Sequence, residues 1–168
     1  MFTSPFAIIG NFPYNISSQI LFKVLEAKEL IPEIVGMFQK EVALRLASNP
    51  GSRAYGILSV LMQTYYDVEL IFTLNENDFT PPPNVKSAVL RFEKNESKKL
   101  ISNEKHFFKI VKLAFNQRRK TLRNALASVI DKKRSADIPY LDKRAEQLSW
   151  QQFDELAIAI NSIAKQNH

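Results

Sequence analysis

The spacing of apolar and polar positions changes period several times along the chain, and each change predicts an element. Phe6 to Gly10 is a short apolar run and reads as a buried strand. Ile16, Ile20, Leu21, Val24 and Leu25 then recur at helical spacing, so Ser17 to Ala27 reads as a helix that Ser17 or Ser18 is placed to cap. Glu33 to Phe38 reads as a second strand. Lys40 to Ala47 reads as a second helix, in which Glu41 and Arg45 stand in the favourable i,i+4 order. Asn49 to Ser52 is a loop. Ala54 to Tyr66 is apolar almost all round and predicts a helix buried on most sides. Val68 to Leu74 alternates and is rich in β-formers, and Ser87 to Phe92 reads as a further strand. Pro81, Pro82 and Pro83 between them can continue neither a ladder nor a helix. The two strands are therefore expected to form a hairpin around a stiff, extended loop.

Past Glu93 the character changes. Lys94, Glu96, Ser97, Lys98 and Lys99 make a polar linker, and the chain from there to its end reads as helical. A domain boundary is expected there, dividing 1–96 from 97–168. Before it strand and helix alternate as in a wound α/β sheet, and beyond it lies a small all-α domain. In that domain Phe107, Val111, Ala114, Phe115, Leu122, Ala125, Leu126 and Val129 fall on one helical face. Lys109, Lys112, Asn116, Arg119, Lys120 and Arg123 fall on the other. Arg118 breaks the pattern by projecting into the apolar stripe. It either snorkels or pairs with a buried carboxylate, or it points into a cleft between domains at substrate phosphate. Ser149 precedes a last helix from about Trp150 to Ala164, whose apolar positions read as bundle core.

Composition narrows the function. No apolar run approaches the roughly 18 residues of a membrane span, and the N-terminus lacks a signal-peptide pattern. Cysteine is absent, which excludes disulfides, thiolate catalysis and cysteine-ligated metal and fits a reducing cytoplasm. His106 and His168 are too far apart for a metal site of the usual spacing, so no metal is expected. The net charge of +6 is unevenly placed: Lys109 to Arg134 holds nine basic residues and one acid, Asp131, for +8, and the remainder of the chain is −2. Charge concentrated in this way is either a solvated helix face or a surface for a polyanion, most simply nucleic acid.

One short stretch carries chemistry. Gly10-Asn11-Phe12-Pro13-Tyr14 lies between the first strand and the first helix, where open α/β sheets bind ligands. As a plain turn it needs only Asn to cap and Pro to stiffen. As a site it offers the Asn11 side-chain oxygen and a backbone carbonyl to one planar amine, with the Tyr14 ring to stack on the base that carries it. That arrangement suits methylation of an exocyclic adenine amine.

Three stretches, Ile9-Gly10-Asn11-Phe12-Pro13-Tyr14-Asn15-Ile16-Ser17, Phe79-Thr80-Pro81-Pro82-Pro83-Asn84-Val85-Lys86-Ser87-Ala88-Val89 and Phe115-Asn116-Gln117-Arg118-Arg119-Lys120-Thr121-Leu122-Arg123-Asn124, occur in this order and spacing. Together they closely resemble the small-subunit ribosomal-RNA adenine dimethyltransferases, the KsgA/RsmA family, along the whole chain. The resemblance implies an incomplete Rossmann-like class I methyltransferase sheet followed by a helical RNA-binding domain. It implies transfer of methyl groups from S-adenosylmethionine to two adjacent adenines of small-subunit ribosomal RNA, with the immature small subunit as partner, the cytoplasm as location and a monomeric full-length protein. It assigns Asn11, Phe12, Pro13 and Tyr14 to catalysis and Tyr14 and Phe79 to stacking on the adenine. Lys112, Gln117, Arg118, Arg119, Lys120 and Arg123 go to RNA binding, and Asn11 alone to the donor side. The departure is in the glycines: Gly10, Gly36, Gly51 and Gly56 form no Gly-x-Gly, so the donor-binding half is expected to be missing and the fragment inactive alone. Ile57 also stands where many relatives carry a basic residue. A non-catalytic RNA- or DNA-binding module on the same scaffold is the alternative reading.

Overall fold

The structure, a computed structural model, describes residues 4–130 and 132–165, without the side chains of 132–134 and 163–165. Asp131 and the side chains of Lys132, Lys133 and Arg134, counted in the charge reading, lie outside the described residues. Two compact units divide the chain: Met1–Ser48 with Leu61–Lys98, and Asn49–Val60 with Lys99–His168. Nothing in the sequence signals that 49–60 leaves the first unit for the second.

The first unit is built on four strands, β1 (Ile8–Asn11), β2 (Glu33–Gln39), β3 (Tyr66–Leu74) and β4 (Ser87–Lys94), in the order β1-β2-β4-β3. β1 and β2 are parallel, while β4 runs antiparallel to both β2 and β3. The expected hairpin of β3 and β4 is present. Helix α1 (Ser17–Glu26) connects β1 to β2, and α2 (Lys40–Leu46) follows β2. The apolar spacing read from the sequence becomes a core of Leu21, Val24, Leu25, Ile34, Phe38, Leu90 and Phe92, all at most 2% exposed. Neither serine caps α1. Its N-cap is Ile16, and the Ser17 hydroxyl turns back to donate to the Tyr14 carbonyl at 3.3 Å. Glu41 and Arg45 make the expected ion pair at 3.0 Å, an exposed contact worth a few tenths of a kcal/mol at most.

The helix predicted over 54–66 is shorter: α3 spans Ile57–Gln63. Ser52 accounts for the late start, since its hydroxyl accepts the Ala54 N–H and its carbonyl the Tyr55 N–H, which makes a turn in place of the first helical residues. At the other end Tyr66 already belongs to β3. Gln63 closes α2 by donating its amide to the Leu46 carbonyl, which the helix end leaves without a partner, and to the Ser48 carbonyl just beyond it.

The second unit contains α4 (Glu104–Asn116), α5 (Leu122–Ala125) and α6 (Trp150–Lys165). The sequence pattern treated 107–129 as one helical face, but the helix breaks. Gln117 leaves the helical region at φ −122 and ψ 52, and its carbonyl accepts the Lys120 N–H to close a turn. The first amides of α5 go to the carbonyls of Lys143 and Leu141, at 2.7 and 2.9 Å. A tertiary contact thus caps α5, which is why the pattern shows no start there. Phe107, Val111, Ala114, Leu122, Ala125 and Leu126 remain buried on both sides of the break, while Phe115 and Val129 are half-buried. Ser149 and Gln152 form a reciprocal capping pair at the start of α6. Asp154, 4% exposed, accepts the backbone N–H groups of Ile101 and Ser102 at 2.9 Å each, fixing the approach to α4 against α6.

Candidate functional site

The turn after β1 is organised by Phe12. Its ring is 7% exposed and meets Phe38 edge-on, with centroids 5.3 Å apart. It lies across Gly10 and Gly36, which face each other in the β1–β2 register. A Cβ on Gly36 would sit 2.6 Å from Phe12 Cε2 and 3.0 Å from Phe38 Cε2, so this seat requires glycine. Since the Phe12 side chain is spent on the core, only its backbone can act at the surface. Gly36→Ala is expected to destabilise the chain by about 1–3 kcal/mol through overpacking. Urea unfolding would show it, and Phe12→Leu in the same chain should recover part of the loss.

Asn11 and Pro13 are exposed on either side of that anchor. Tyr14 is half-buried, and its hydroxyl shares a hydrogen bond of 2.5 Å with Ser87 Oγ. Ser87, fully buried, is the first residue of β4. One bond therefore ties the turn after β1 to the end of the proline loop. The turn's own bonds use the Pro13 and Tyr14 carbonyls, which accept from Ile16 N–H and Ser17 Oγ.

The turn and the proline loop line one cleft of about 270 Å³, formed by Asn11, Phe12, Pro13, Tyr14, Met37, Phe79, Pro81 and Pro83. Asn11 to Tyr14 and Phe79, far apart in sequence, are thus brought together. Met37 and Ser87 were not singled out in the sequence. The register signals Met37, which pairs with Asn11, but a lone serine opening a strand carries no such signal. Chemically, the cleft offers one amide oxygen, backbone carbonyls and two aromatic rings, Tyr14 and Phe79. These suit a flat heterocycle bearing an amine.

In the second unit Phe115, Asn116, Gln117, Arg118, Arg119 and Lys120 line a cavity of about 380 Å³ at the helix break. Lys112, Gln117, Arg119, Lys120 and Arg123 are exposed there, and Arg123 reaches the Ser135 hydroxyl at 3.3 Å. Arg118 behaves differently. Its guanidinium donates to the Arg53 carbonyl, and Nε lies 4.0 Å from the Glu146 carboxylate. Among the described residues no group of three or more His, Asp or Glu is placed to hold a metal ion.

Comparison with known proteins adds a family. The model of the ribosomal RNA adenine dimethylase family matches residues 2–161. The chain is 61% identical over 151 residues to a ribosomal RNA small subunit methyltransferase A of Cytophaga hutchinsonii, covering 90% of this chain and 58% of the relative. It is 56% identical to the protein of the same name in Phocaeicola vulgatus, covering 96% and 58%, and 54% identical to that of Flavobacterium johnsoniae, covering 96% and 62%. The chain thus spans about three fifths of the length of these curated relatives. Among solved structures it is similar to a dimethyladenosine transferase from Plasmodium falciparum, with TM-score 0.85 at 24% identity over 98% of this chain and 70% of that one. It is also similar to the 23S rRNA methyltransferase ErmE, with TM-score 0.72 at 21% identity over 96% and 67%. These two likenesses establish the fold, a Rossmann-like methyltransferase sheet joined to a helical unit.

Proposed function

The chain belongs to the ribosomal RNA adenine dimethylase family, and from that premise we propose that it forms the adenine-binding and RNA-binding part of an S-adenosylmethionine-dependent enzyme. In this reading the enzyme dimethylates the N6 amines of adjacent adenines in small-subunit ribosomal RNA. The observation that supports the reading is the cleft whose lining includes Asn11, Phe12, Tyr14 and Phe79 together.

Adenine N6 is a weak nucleophile because its lone pair is delocalised into the ring. Accepted by the Asn11 side-chain oxygen and the Phe12 carbonyl, its two N–H groups hold the nitrogen in a pyramidal geometry with the lone pair directed outward. Tyr14 and Phe79 stack on the base, a contribution of about 1–3 kcal/mol per base, and the base leaves its own stack to reach them. These are positioning and electrostatic contributions, and no dedicated base is needed to remove a proton before transfer. S-adenosylmethionine, when bound, supplies the electrophilic methyl group. The residues present fit one wall of a donor site only: Asn11 stands at the end of β1, and no two glycines are spaced Gly-x-Gly. The donor-binding half is therefore assigned to a segment outside this sequence, and the chain alone is inactive. The non-catalytic module is the less favoured reading, because the relatives at 61% and 56% identity bear methyltransferase names.

The enzyme is tested by joining the chain to the upstream segment of the Cytophaga relative and supplying donor with a labelled methyl group and immature small subunits. Dimethyladenosine in the RNA is expected, and its absence from a folded, donor-binding protein would refute the assignment. The basic turn is assigned to RNA phosphates. Arg119→Ala and Lys120→Ala should each weaken binding to all RNA sequences alike and lower the salt slope by roughly 0.7 to 0.9. Unchanged slopes in a filter-binding titration would return both residues to a solvated face. No helix among the described residues is long and apolar enough to cross a membrane, and action of the full-length protein in the cytoplasm as a monomer belongs to the same proposal.

A further inference from the structure

Arg118 sits in the most basic stretch of the chain, and its guanidinium, although the side chain is 41% exposed, is engaged within the second unit. One nitrogen donates to the Arg53 carbonyl and another faces the Glu146 carboxylate at 4.0 Å. Glu146 belongs to the same connection from its other side, because its carbonyl accepts the Gly51 N–H at 2.7 Å. The segment 49–60 is thus held at two points only two residues apart, by Glu146 through the backbone of Gly51 and by Arg118 through the backbone of Arg53. Between these points the chain turns on Ser52, whose hydroxyl and carbonyl accept the Ala54 and Tyr55 amides. Gly51 permits that path with φ +91, a backbone region that other residues rarely adopt. Tyr55 and Gly56 come next, both buried, so the segment is seated rather than loose.

Arg53 is the one charged residue in 49–60. Its carbonyl is taken by Arg118 while the residue itself is exposed. The same contact that engages the Arg118 guanidinium therefore ties another arginine to the turn that carries Arg119 and Lys120. We propose that the polyanion-binding face of the helical unit is assembled from two chain segments, with Arg118 as the clamp and Arg53 as a phosphate contact. The ligand is the phosphate backbone of RNA, so the footprint rests on the function proposed above, whereas the clamp does not. A planar guanidinium suits the clamp because it can serve a carbonyl and a carboxylate at once, which a lysine ammonium does less well. Arg118 is a positioning residue in this scheme and touches no phosphate.

The experiment has two arms on the full chain. Hydrogen exchange without RNA should show faster exchange across 51–56 in Arg118→Ala, with only partial recovery in Arg118→Lys and with α6 protection unchanged as the control for folding. In salt titrations with a fragment of small-subunit RNA, Arg53→Ala should lower the slope by roughly 0.7 to 0.9. Arg118→Ala should do no more than that, and the double variant should match the single ones, because both lose the same contact. Additive slopes with unchanged exchange across 51–56 would make Arg118 a direct phosphate ligand and overturn the proposal. If Arg119→Ala also leaves the slope unchanged, the RNA reading fails and the footprint with it, while the exchange arm still decides the clamp.

Discussion

Asn11→Ala in the joined enzyme is expected to abolish methyl transfer, by at least about 100-fold in turnover, while RNA affinity stays within about twofold. The reason is the division of labour within the turn. The Phe12 ring is held by Phe38 and the two glycines, and Tyr14 is held by Ser87, so the turn keeps its shape without the Asn11 side chain. Asn11 is exposed at the end of β1, and its side-chain amide is the group the variant removes from the cleft. Single-turnover transfer and filter binding on the same preparation separate the two effects. Affinity falling in step with activity would show that Asn11 holds the RNA rather than the reacting amine.

The sequence was legible where one element carried its own pattern. The helical spacing of Ile20, Leu21, Val24 and Leu25 and the prolines between β3 and β4 placed α1 and the hairpin without knowledge of the rest. The first two family stretches contain every cleft residue but Met37 for the same reason, since each motif is local. What failed to show was tertiary. The break between α4 and α5 depends on carbonyls of Leu141 and Lys143 that lie about twenty residues away. The cap on α1 passed to Ile16 because Ser17 found the Tyr14 carbonyl instead. Arg118 stood out in the sequence as a break in the apolar stripe, but its partner at Arg53 could not be read from helical periodicity. Ser87, Asp154 and Gly36 are each silent for a related reason: one side chain, or the absence of one, meets a group distant in sequence.

The chain as it stands is expected to self-associate through β1. Among the described residues β1 has one ladder partner, β2, so its other side presents unpaired backbone N–H and C=O groups. Ile9 is 85% exposed on that strand. The opposite edge is defended differently. β3 has exposed Leu70, Ile71 and Phe72, but it also carries Asp67 and Glu69 and a register break between Leu70 and Phe72 that disturbs a straight ladder. The sequence of β1, Ile8-Ile9-Gly10-Asn11, has no charge, no proline and no bulge, so nothing discourages a second strand from adding there. Sedimentation should show a dimer or larger species that grows with concentration. Protection of the β1 amides from hydrogen exchange should rise in parallel, while α6 stays protected throughout. Ile9→Lys places a charge on the edge and should return the chain to a monomer without loss of the sheet, since Ile9 contributes little to the core. A monomer at all concentrations with β1 already protected would mean that this edge is covered within the chain itself.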